Sequence, residues 1–345
     1  MGMKSKVFIL YTGGTFGMKE THKGLEPSTW DEIINYLPAI KNQNYFDFFS
    51  EIYFTYDVLE PVVDSSNMNP QSWSRIAEKI KDNYDDYDGF IIIHGTDTLS
   101  YTASALSFMF ENLNKPIVIT GSQLPIFHPR TDGIVNLSNA IYIAGYLSFD
   151  IDCIPEVCIC FNDDVLRGNR SIKTSTNDFE GFSSPNFDNL AYLEQTITLN
   201  QNLIQKRNKE NLKLLPNFSE NVVNVTVFPG YSPIILISLV KNQKIDGIVL
   251  KTFGSGNLPN TKEWHELIKV CEENDTLIFA TTQCPNGKIE IGQYASSEIL
   301  KSGCVVSGKD ITSEAALTKL MWVIGNYPYQ ERHHILSQSI RGEMS

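Results

Sequence analysis

A chain of 345 residues is long enough for about two domains of roughly 100–200 residues each. Its 42% hydrophobic content supplies full-sized cores, and its net charge of −12, from 28 Lys+Arg against 40 Asp+Glu, argues against nucleic acid or an anionic membrane as partner, since both call for a basic face. No apolar run approaches the ~20 residues of a membrane span, and the N-terminus Met1–Lys6 lacks a signal-peptide core and cleavage site, so a cytoplasmic location is expected.

The first predicted strand is Lys6–Leu10, leading directly into Tyr11-Thr12-Gly13-Gly14-Thr15-Phe16-Gly17. A helix follows from Ser28 to about Leu37, behind Pro27, and a strand from Glu51 to Val58 leads to Asp64-Ser65-Ser66. The next helix, Pro70 to Tyr84, opens with proline in its first turn and spaces Trp73, Ile76 and Ile80 helically. The strand Phe90–Ile93 runs into His94-Gly95-Thr96-Asp97-Thr98, and Leu99, Ala103, Leu106, Phe110 and Leu113 form a helical stripe. Pro116–Thr120 repeats the grammar before Gly121-Ser122-Gln123, then a helix over Asn136–Tyr146 and a strand over Val157–Phe161. Strands alternating with helices in this way imply βαβ units and a parallel sheet.

Residues 196–221 break the pattern with the polar run Asn200–Glu210 and Pro216, and are expected to link a domain of residues 1–195 to one of 222–345. The second half resumes the alternation. Strands are expected at Val223–Phe228, Ile245–Thr252, Thr276–Thr281 and Cys304–Val306, with a helix over Glu314–Ile324. Six cysteines, at 153, 158, 160, 271, 284 and 304, show no zinc spacing. Cys158 and Cys160 share one face of one strand, a poor disulfide geometry, so reduced and mostly buried thiols are expected.

Nucleotide motifs fail on inspection. Thr12–Gly17 reads GGxxG rather than GxGxxG, Gly254-Ser255-Gly256 lacks a third glycine, and Gly303–Asp310 has Asp310 where a phosphate loop needs a hydroxyl for magnesium. The two threonine loops are different. Loops at the carboxyl ends of parallel strands gather on one edge, where ligands bind. Thr15 is the candidate nucleophile, with Gly13 and Gly14 opening the backbone beside it. A threonine hydroxyl is inert without an activating partner. Asp97 suits orienting a base or a substrate ammonium; Thr96 suits activating a water or the nucleophile when a stronger base draws on it; and Lys173, which follows a strand that reaches the same edge, would serve as that base if burial and hydroxyl hydrogen bonds keep it neutral. Read on spacing alone, the same loops also fit plain turns in which Thr and Asp satisfy local backbone donors, with His94 a structural histidine.

These motifs, with Asp64–Ser66, Tyr84–Phe90, Tyr101–Met109, Gly121-Ser122-Gln123, Arg167-Gly168-Asn169-Arg170, Thr282-Gln283-Cys284 and Arg341-Gly342-Glu343, make the chain resemble the bacterial type I (cytoplasmic) L-asparaginases along nearly its whole length. The resemblance implies an α/β, two-domain asparaginase-like fold: a larger N-terminal flavodoxin-like parallel sheet plus a smaller C-terminal α/β domain. It implies a homo-oligomer, a dimer or dimer of dimers, needing no metal or cofactor. It further implies hydrolysis of L-asparagine to L-aspartate and ammonia, with Thr15 as nucleophile, Thr96, Asp97 and Lys173 as its catalytic group, and Asp64, Ser65, Ser66 and Asp97 holding the substrate's carboxylate and ammonium. Backbone N–H groups near Thr15 and Thr96 would be the oxyanion donors.

Two departures from the family pattern stand out. The lid position where many members carry tyrosine reads Leu25, which cannot relay a proton, and Tyr294 is either an auxiliary phenol or a packing residue. Positions matching a second asparagine site in some members read Ile172 and Lys251, where a hydroxyl and an arginine are expected, beside Thr282 and Cys284; Lys for Arg loses bidentate carboxylate binding. The competing readings are a glutaminase-asparaginase of mixed specificity, the asparaginase-like subunit of a tRNA-dependent amidotransferase, and a catalytically silent amino-acid-binding regulator.

Overall fold

The computed structural model describes residues 5–37, 52–146, 153–292 and 295–345. Contacts divide the chain into two compact units, Met1–Leu214 and Leu215–Ser345.

In the first unit the strands, in chain order, are β1 (Ser5–Tyr11), the hairpin β2 (Met18–Thr21) and β3 (Gly24–Pro27), β4 (Ile52–Val58), β5 (Gly89–Ile93), β6 (Phe110–Glu111) and β7 (Ile117–Thr120). They continue with β8 (Val157–Phe161), β9 (Asp164–Arg167), β10 (Ile172–Lys173), β11 (Phe182–Ser183), β12 (Ala191–Leu193), β13 (Ile197–Leu199) and β14 (Lys213–Leu214). Eight of these form the main sheet, in the order β13-β12-β9-β8-β7-β5-β1-β4. Strands β4, β1, β5, β7 and β8 run parallel. Counted along the chain, those five lie in the order 2-1-3-4-5, which is flavodoxin-like, and its winding reverses between β1 and β5. The two threonine loops leave the carboxyl ends of these two strands, at the switch point where such sheets bind ligands. β5 is buried along its whole length, and β1 from Val7 onward, as strands covered on both faces must be.

The sheet is mixed, because β9, β12 and β13 extend it antiparallel beyond β8. The cause is local. Only Asn162 and Asp163 join β8 to β9, and Asn162 adopts φ 53, the left-handed conformation of a two-residue hairpin turn. A connection that short can only return antiparallel.

Among the described residues, four α-helices complete this unit. α1 (Trp30–Asn35) starts two residues later than expected, because Thr29 and Glu32 form a capping box there, and ends at Asn35. α2 (Pro70–Asp82) starts at Pro70, with the Asn69 side chain accepting Ser72 N–H at 3.0 Å, and buries Trp73, Ile76, Ala77 and Ile80. α3 (Leu99–Met109) is buried nearly all round. α4 (Gly133–Ile141) begins three residues before the expected Asn136 and widens into a π turn over Tyr142–Tyr146. Of the segment 196–221, Ile197–Leu199 pairs into the main sheet and Lys213–Leu214 pairs with β6.

The second unit is a four-stranded parallel sheet in the order β15 (Val222–Thr226), β16 (Gly247–Thr252), β17 (Leu277–Thr282) and β18 (Val305–Ser307). α5 (Ile234–Gln243) and α6 (Lys262–Glu273) cover one face, packing Leu236, Val240, Trp264 and Leu267 with Ile248, Leu250 and Ile278. α7 (Ser313–Asn326) covers the other, so closely that a Cβ on Gly247 would meet Ile324 at 2.8 Å and Leu320 at 2.9 Å. α8 (Tyr329–Ser337) follows, and the chain end is tied back by the buried Lys319, whose Nζ lies 2.6 Å from Glu343. Among the described residues, no helix is long and apolar enough to cross a membrane.

Candidate active site

Close approaches at two glycines, Gly14 and Gly95, bring the site together within the first unit. Gly13 and Gly14 hold φ 122 and 90, conformations that side-chain-bearing residues avoid, and this turns Thr15 outward at the end of β1. A Cβ on Gly14 would lie 2.3 Å from the Cα of Gly95, and one on Gly95 would lie 2.6 Å from Ser65 Oγ. The loops carrying Thr15 and Thr96 therefore meet backbone to backbone, and the Ser65 side chain packs directly on the bare backbone of Gly95. Thr12 fastens the first two strand ends, its N–H and hydroxyl both donating to the Ile93 carbonyl at 3.0 Å.

Lys173 arrives by a longer route. After β9 the chain turns at Gly168–Arg170 and climbs the side of α3. A Cβ on Gly168 would sit 3.1–3.2 Å from Ser107 and Ala103, Ser171 Oγ is 3.5 Å from Ser100 Oγ, and Lys173 reaches the loop before α3. The small residues Ser100, Ala103, Ser104 and Ser107 are what let a backbone run this close to a helix. Lys173 Nζ donates to Thr96 Oγ1 at 2.9 Å and to Asp97 Oδ1 at 2.6 Å. Its side chain is 17% exposed, that of Asp97 67%.

The pocket so formed measures about 170 Å³ and is lined by Gly14, Thr15, Asp64, Ser65, Gly95, Thr96, Asp97, Gln123, Lys173 and Thr176. That is smaller than the roughly 300–1,000 Å³ of drug-sized sites, and the lining is almost wholly polar, which suits one small, charged metabolite. Asp64 accepts the Ser66 N–H at 2.8 Å, and hydrogen bonds from the Ser66 hydroxyl and N–H hold its carboxyl below the usual carboxylate range. It therefore stays ionised toward a ligand cation. Among the described residues, neither the Thr15 nor the Thr96 backbone N–H has an acceptor.

The structure thus brings Thr15, Asp64, Ser65, Thr96, Asp97 and Lys173 around one pocket, while Ser66 serves Asp64 from outside its lining. Leu25 lies on the β2–β3 hairpin, 51% exposed and paired with Glu20, away from that lining. Tyr294 lies outside the described residues. Lys251 and Thr282 stand at neighbouring strand ends of the second unit, where Thr282 Oγ1 accepts the Cys284 N–H at 3.0 Å. Ile172 precedes Lys173 in β10 of the first unit.

Two lining residues, Gln123 and Thr176, went unassigned in the sequence. The signal for Gln123 was its place after β7, a third repetition of strand followed by polar loop. Its amide nitrogen donates to the Asp178 carbonyl at 2.9 Å and so ties down the segment that carries Thr176.

Comparison with known proteins identifies the family. Residues 6–205 match the family model "Asparaginase, N-terminal", and residues 221–334 match "Glutaminase/Asparaginase C-terminal domain". The chain is 36% identical to L-asparaginase 1 of Escherichia coli (strain K12) over 345 residues, covering 99% of this chain and 98% of the relative. The crystal structure of L-asparaginase I from Vibrio cholerae superposes with a TM-score of 0.87 at 37% identity, covering 99% of each chain. The 60 kDa lysophospholipase of Mus musculus is 35% identical, covering 100% of this chain and 63% of the relative. With both family models matched and a full-length relative at this identity, the chain belongs to the asparaginase family of amidohydrolases.

Proposed function

We propose that this protein hydrolyses the side-chain amide of L-asparagine to L-aspartate and ammonia through a covalent ester on Thr15. The observation that carries this reading is the convergence of Thr15, the Lys173–Thr96 hydrogen bond and two unpaired backbone N–H groups on one small polar pocket. Asp64 and Asp97 supply negative charge for the substrate ammonium, and Ser65 with nearby backbone supplies donors for its carboxylate. Thr15 Oγ attacks the amide carbon, and the Thr15 and Thr96 N–H groups receive the developing oxyanion. The C–N bond then breaks, and the leaving nitrogen takes the proton lost by Thr15, departing as ammonia. Water opens the ester and returns a proton to Thr15. Thr96 Oγ and Lys173 Nζ lie 2.9 Å apart, and for hydrolysis the order along this bond reverses: Thr96 Oγ accepts from the water while its own hydroxyl hydrogen passes to Lys173 Nζ, which gives that water a proton path to the lysine. Asp97 fixes the lysine at the far end of this path.

The lysophospholipase relative raises the question of a lipid ester. A polar pocket of about 170 Å³ has no room or apolar wall for an acyl chain, which favours the amino-acid amide. We also infer a cytoplasmic homo-oligomer. Ile234 and Ile235 of α5 and the nearby Phe228 are 57–69% exposed, an apolar face suited to a second copy, and all six cysteines are free thiols, as a reducing compartment keeps them.

The test is ammonia release from L-asparagine beside L-glutamine and a lysophospholipid. Asparagine is expected to be turned over fastest. Equal rates on glutamine would move the reading to a mixed-specificity enzyme, fatty-acid release would overturn it, and tight asparagine binding without turnover would make the protein a silent regulator.

A further inference from the structure

His94 is fully buried directly before the Thr96 loop, yet it lies outside the pocket lining, and the mechanism above leaves it without a task. Its ring is held at both nitrogens. Nε2 lies 3.0 Å from Thr102 Oγ1 on α3, and Nδ1 lies 2.7 Å from the Gly95 carbonyl oxygen. Thr102 Oγ1 also receives the indole N–H of Trp73, on α2, at 3.1 Å.

Proton positions along this chain follow from donor inventory. An indole nitrogen only donates, so Thr102 must accept from it. The Gly95 carbonyl only accepts, so His94 Nδ1, 2.7 Å away, carries the ring hydrogen and donates it. Nε2 of the neutral ring is then an acceptor and takes the Thr102 hydroxyl hydrogen. The opposite tautomer would set a lone pair against that oxygen at 2.7 Å. Burial pushes the imidazole down from its ordinary 6.5 to about 4, which keeps this single neutral form through the physiological range.

We infer that His94 is a positioning residue: by anchoring the Gly95 carbonyl it sets the Gly95–Thr96 peptide plane so that the Thr96 N–H faces the pocket as an oxyanion donor. A trans peptide carries its C=O and N–H on opposite sides, so fixing one aims the other. The Thr96 N–H has no acceptor among the described residues, as a donor reserved for a ligand requires. Gly95 has no Cβ to hold this plane by packing, and one there would strike Ser65 and Gly14. The Trp73–Thr102–His94 chain thus extends from two helices to one peptide bond of the site. This role rests on the hydrolase reading above.

The experiment compares His94→Leu with His94→Asn, whose side-chain amide can place an N–H where Nδ1–H stands, and Thr102→Val with Thr102→Ser. Each is assayed for kcat and KM on asparagine and for thermal midpoint, and the imidazole ¹⁵N shifts of the wild-type protein are recorded. Removing one oxyanion donor costs about 10²–10³-fold, and misaiming it should cost part of that. His94→Leu is expected to lose roughly 10–100-fold in kcat with KM nearly unchanged, and His94→Asn to recover most of it. Thr102→Val should lose kcat in the same direction, since its ring is free to change tautomer, while Thr102→Ser should not. The ¹⁵N shifts should report a proton on Nδ1. Wild-type kcat in His94→Leu, equal kcat losses in the Leu and Asn variants that track their thermal midpoints, or a proton on Nε2 would each overturn the positioning role. Should His94→Leu not fold, the Thr102 pair and the ¹⁵N shifts decide. A wild-type protein that releases no ammonia would instead sink the hydrolase reading, and this role with it.

Discussion

Gly95→Ala probes the packing of the site without touching a reactive group. A Cβ on Gly95 would lie 2.6 Å from Ser65 Oγ, 2.8 Å from Ser65 Cβ and 3.1 Å from Gly14 Cα, whereas ordinary contact begins at 3.4 Å. Ser65 Oγ must therefore retreat by about 0.8 Å, Ser65 Cβ by about 0.6 Å and Gly14 Cα by about 0.3 Å. Both lie on loops whose positions define the pocket, and Gly14 precedes the nucleophile. A displacement of about 1 Å at a reacting centre costs on the order of 10²-fold, so kcat/KM is expected to fall roughly 10- to 100-fold. Overpacking of this kind also costs about 1–3 kcal/mol of stability, a fall of several degrees in thermal midpoint. The assay is steady-state ammonia release beside a thermal melt, with Gly303→Ala as control, because a Cβ there meets nothing within 4 Å. A Gly95→Ala enzyme with wild-type kcat/KM would refute the claim that the Thr15 loop and the Ser65 side chain pack on a bare Gly95 backbone.

Other expectations follow from the same coordinates. Lys173→Met should reduce kcat by at least about 10²-fold while leaving the fold intact, since Lys173 is the only cation bonded to both Thr96 and Asp97 among the described residues; near wild-type turnover would remove it from the proton path. Acid should destabilise the protein through His94. Its folded pKa of about 4 lies below the ordinary 6.5, so between these values the unfolded chain binds the extra proton, and stability falls by roughly 3 kcal/mol as pH drops through that window. Denaturant titrations at pH 7 and 4.5 should show this loss in the wild-type protein and a smaller one in His94→Asn; identical losses would exclude His94 as the source. Lys319→Met should cost about 3–5 kcal/mol by stranding the buried Glu343 carboxylate, which is read as a lowered thermal midpoint, and an unchanged midpoint would contradict it.

Much of the site was legible because its signals are local. Thr15 and Thr96 each follow a run of buried strand residues, and parallel-sheet topology carries such loops to one edge regardless of distance along the chain. The 2-1-3-4-5 order makes this sharper, since β1 and β5 flank the reversal. Lys173 is expected at this edge from the strand it follows, but its route along the small-residue side of α3 is not revealed by spacing along the chain. What escaped depends on long-range contact. Thr176 lines the pocket in a segment tied down by Gln123. The antiparallel edge followed from one asparagine turn, Asn162–Asp163, inside what reads as loop. In the second unit α5 is a nearly continuous apolar run, IILISLV, with no helical alternation to mark it. α6 was passed over although Trp264, Leu267, Ile268 and Cys271 form a legible stripe. Burial of His94 with both ring nitrogens engaged could not be read from a single histidine at a strand end.

The central claim is that Thr15 forms the covalent bond. Thr15→Ala and Thr15→Ser should be assayed for ammonia release from asparagine beside the wild-type enzyme, with folding checked by thermal melt. The account expects Thr15→Ala to lose at least about 10³-fold with its fold intact, and Thr15→Ser to retain part of the activity because it keeps the hydroxyl. A folded Thr15→Ala protein turning over asparagine within tenfold of wild type would contradict it.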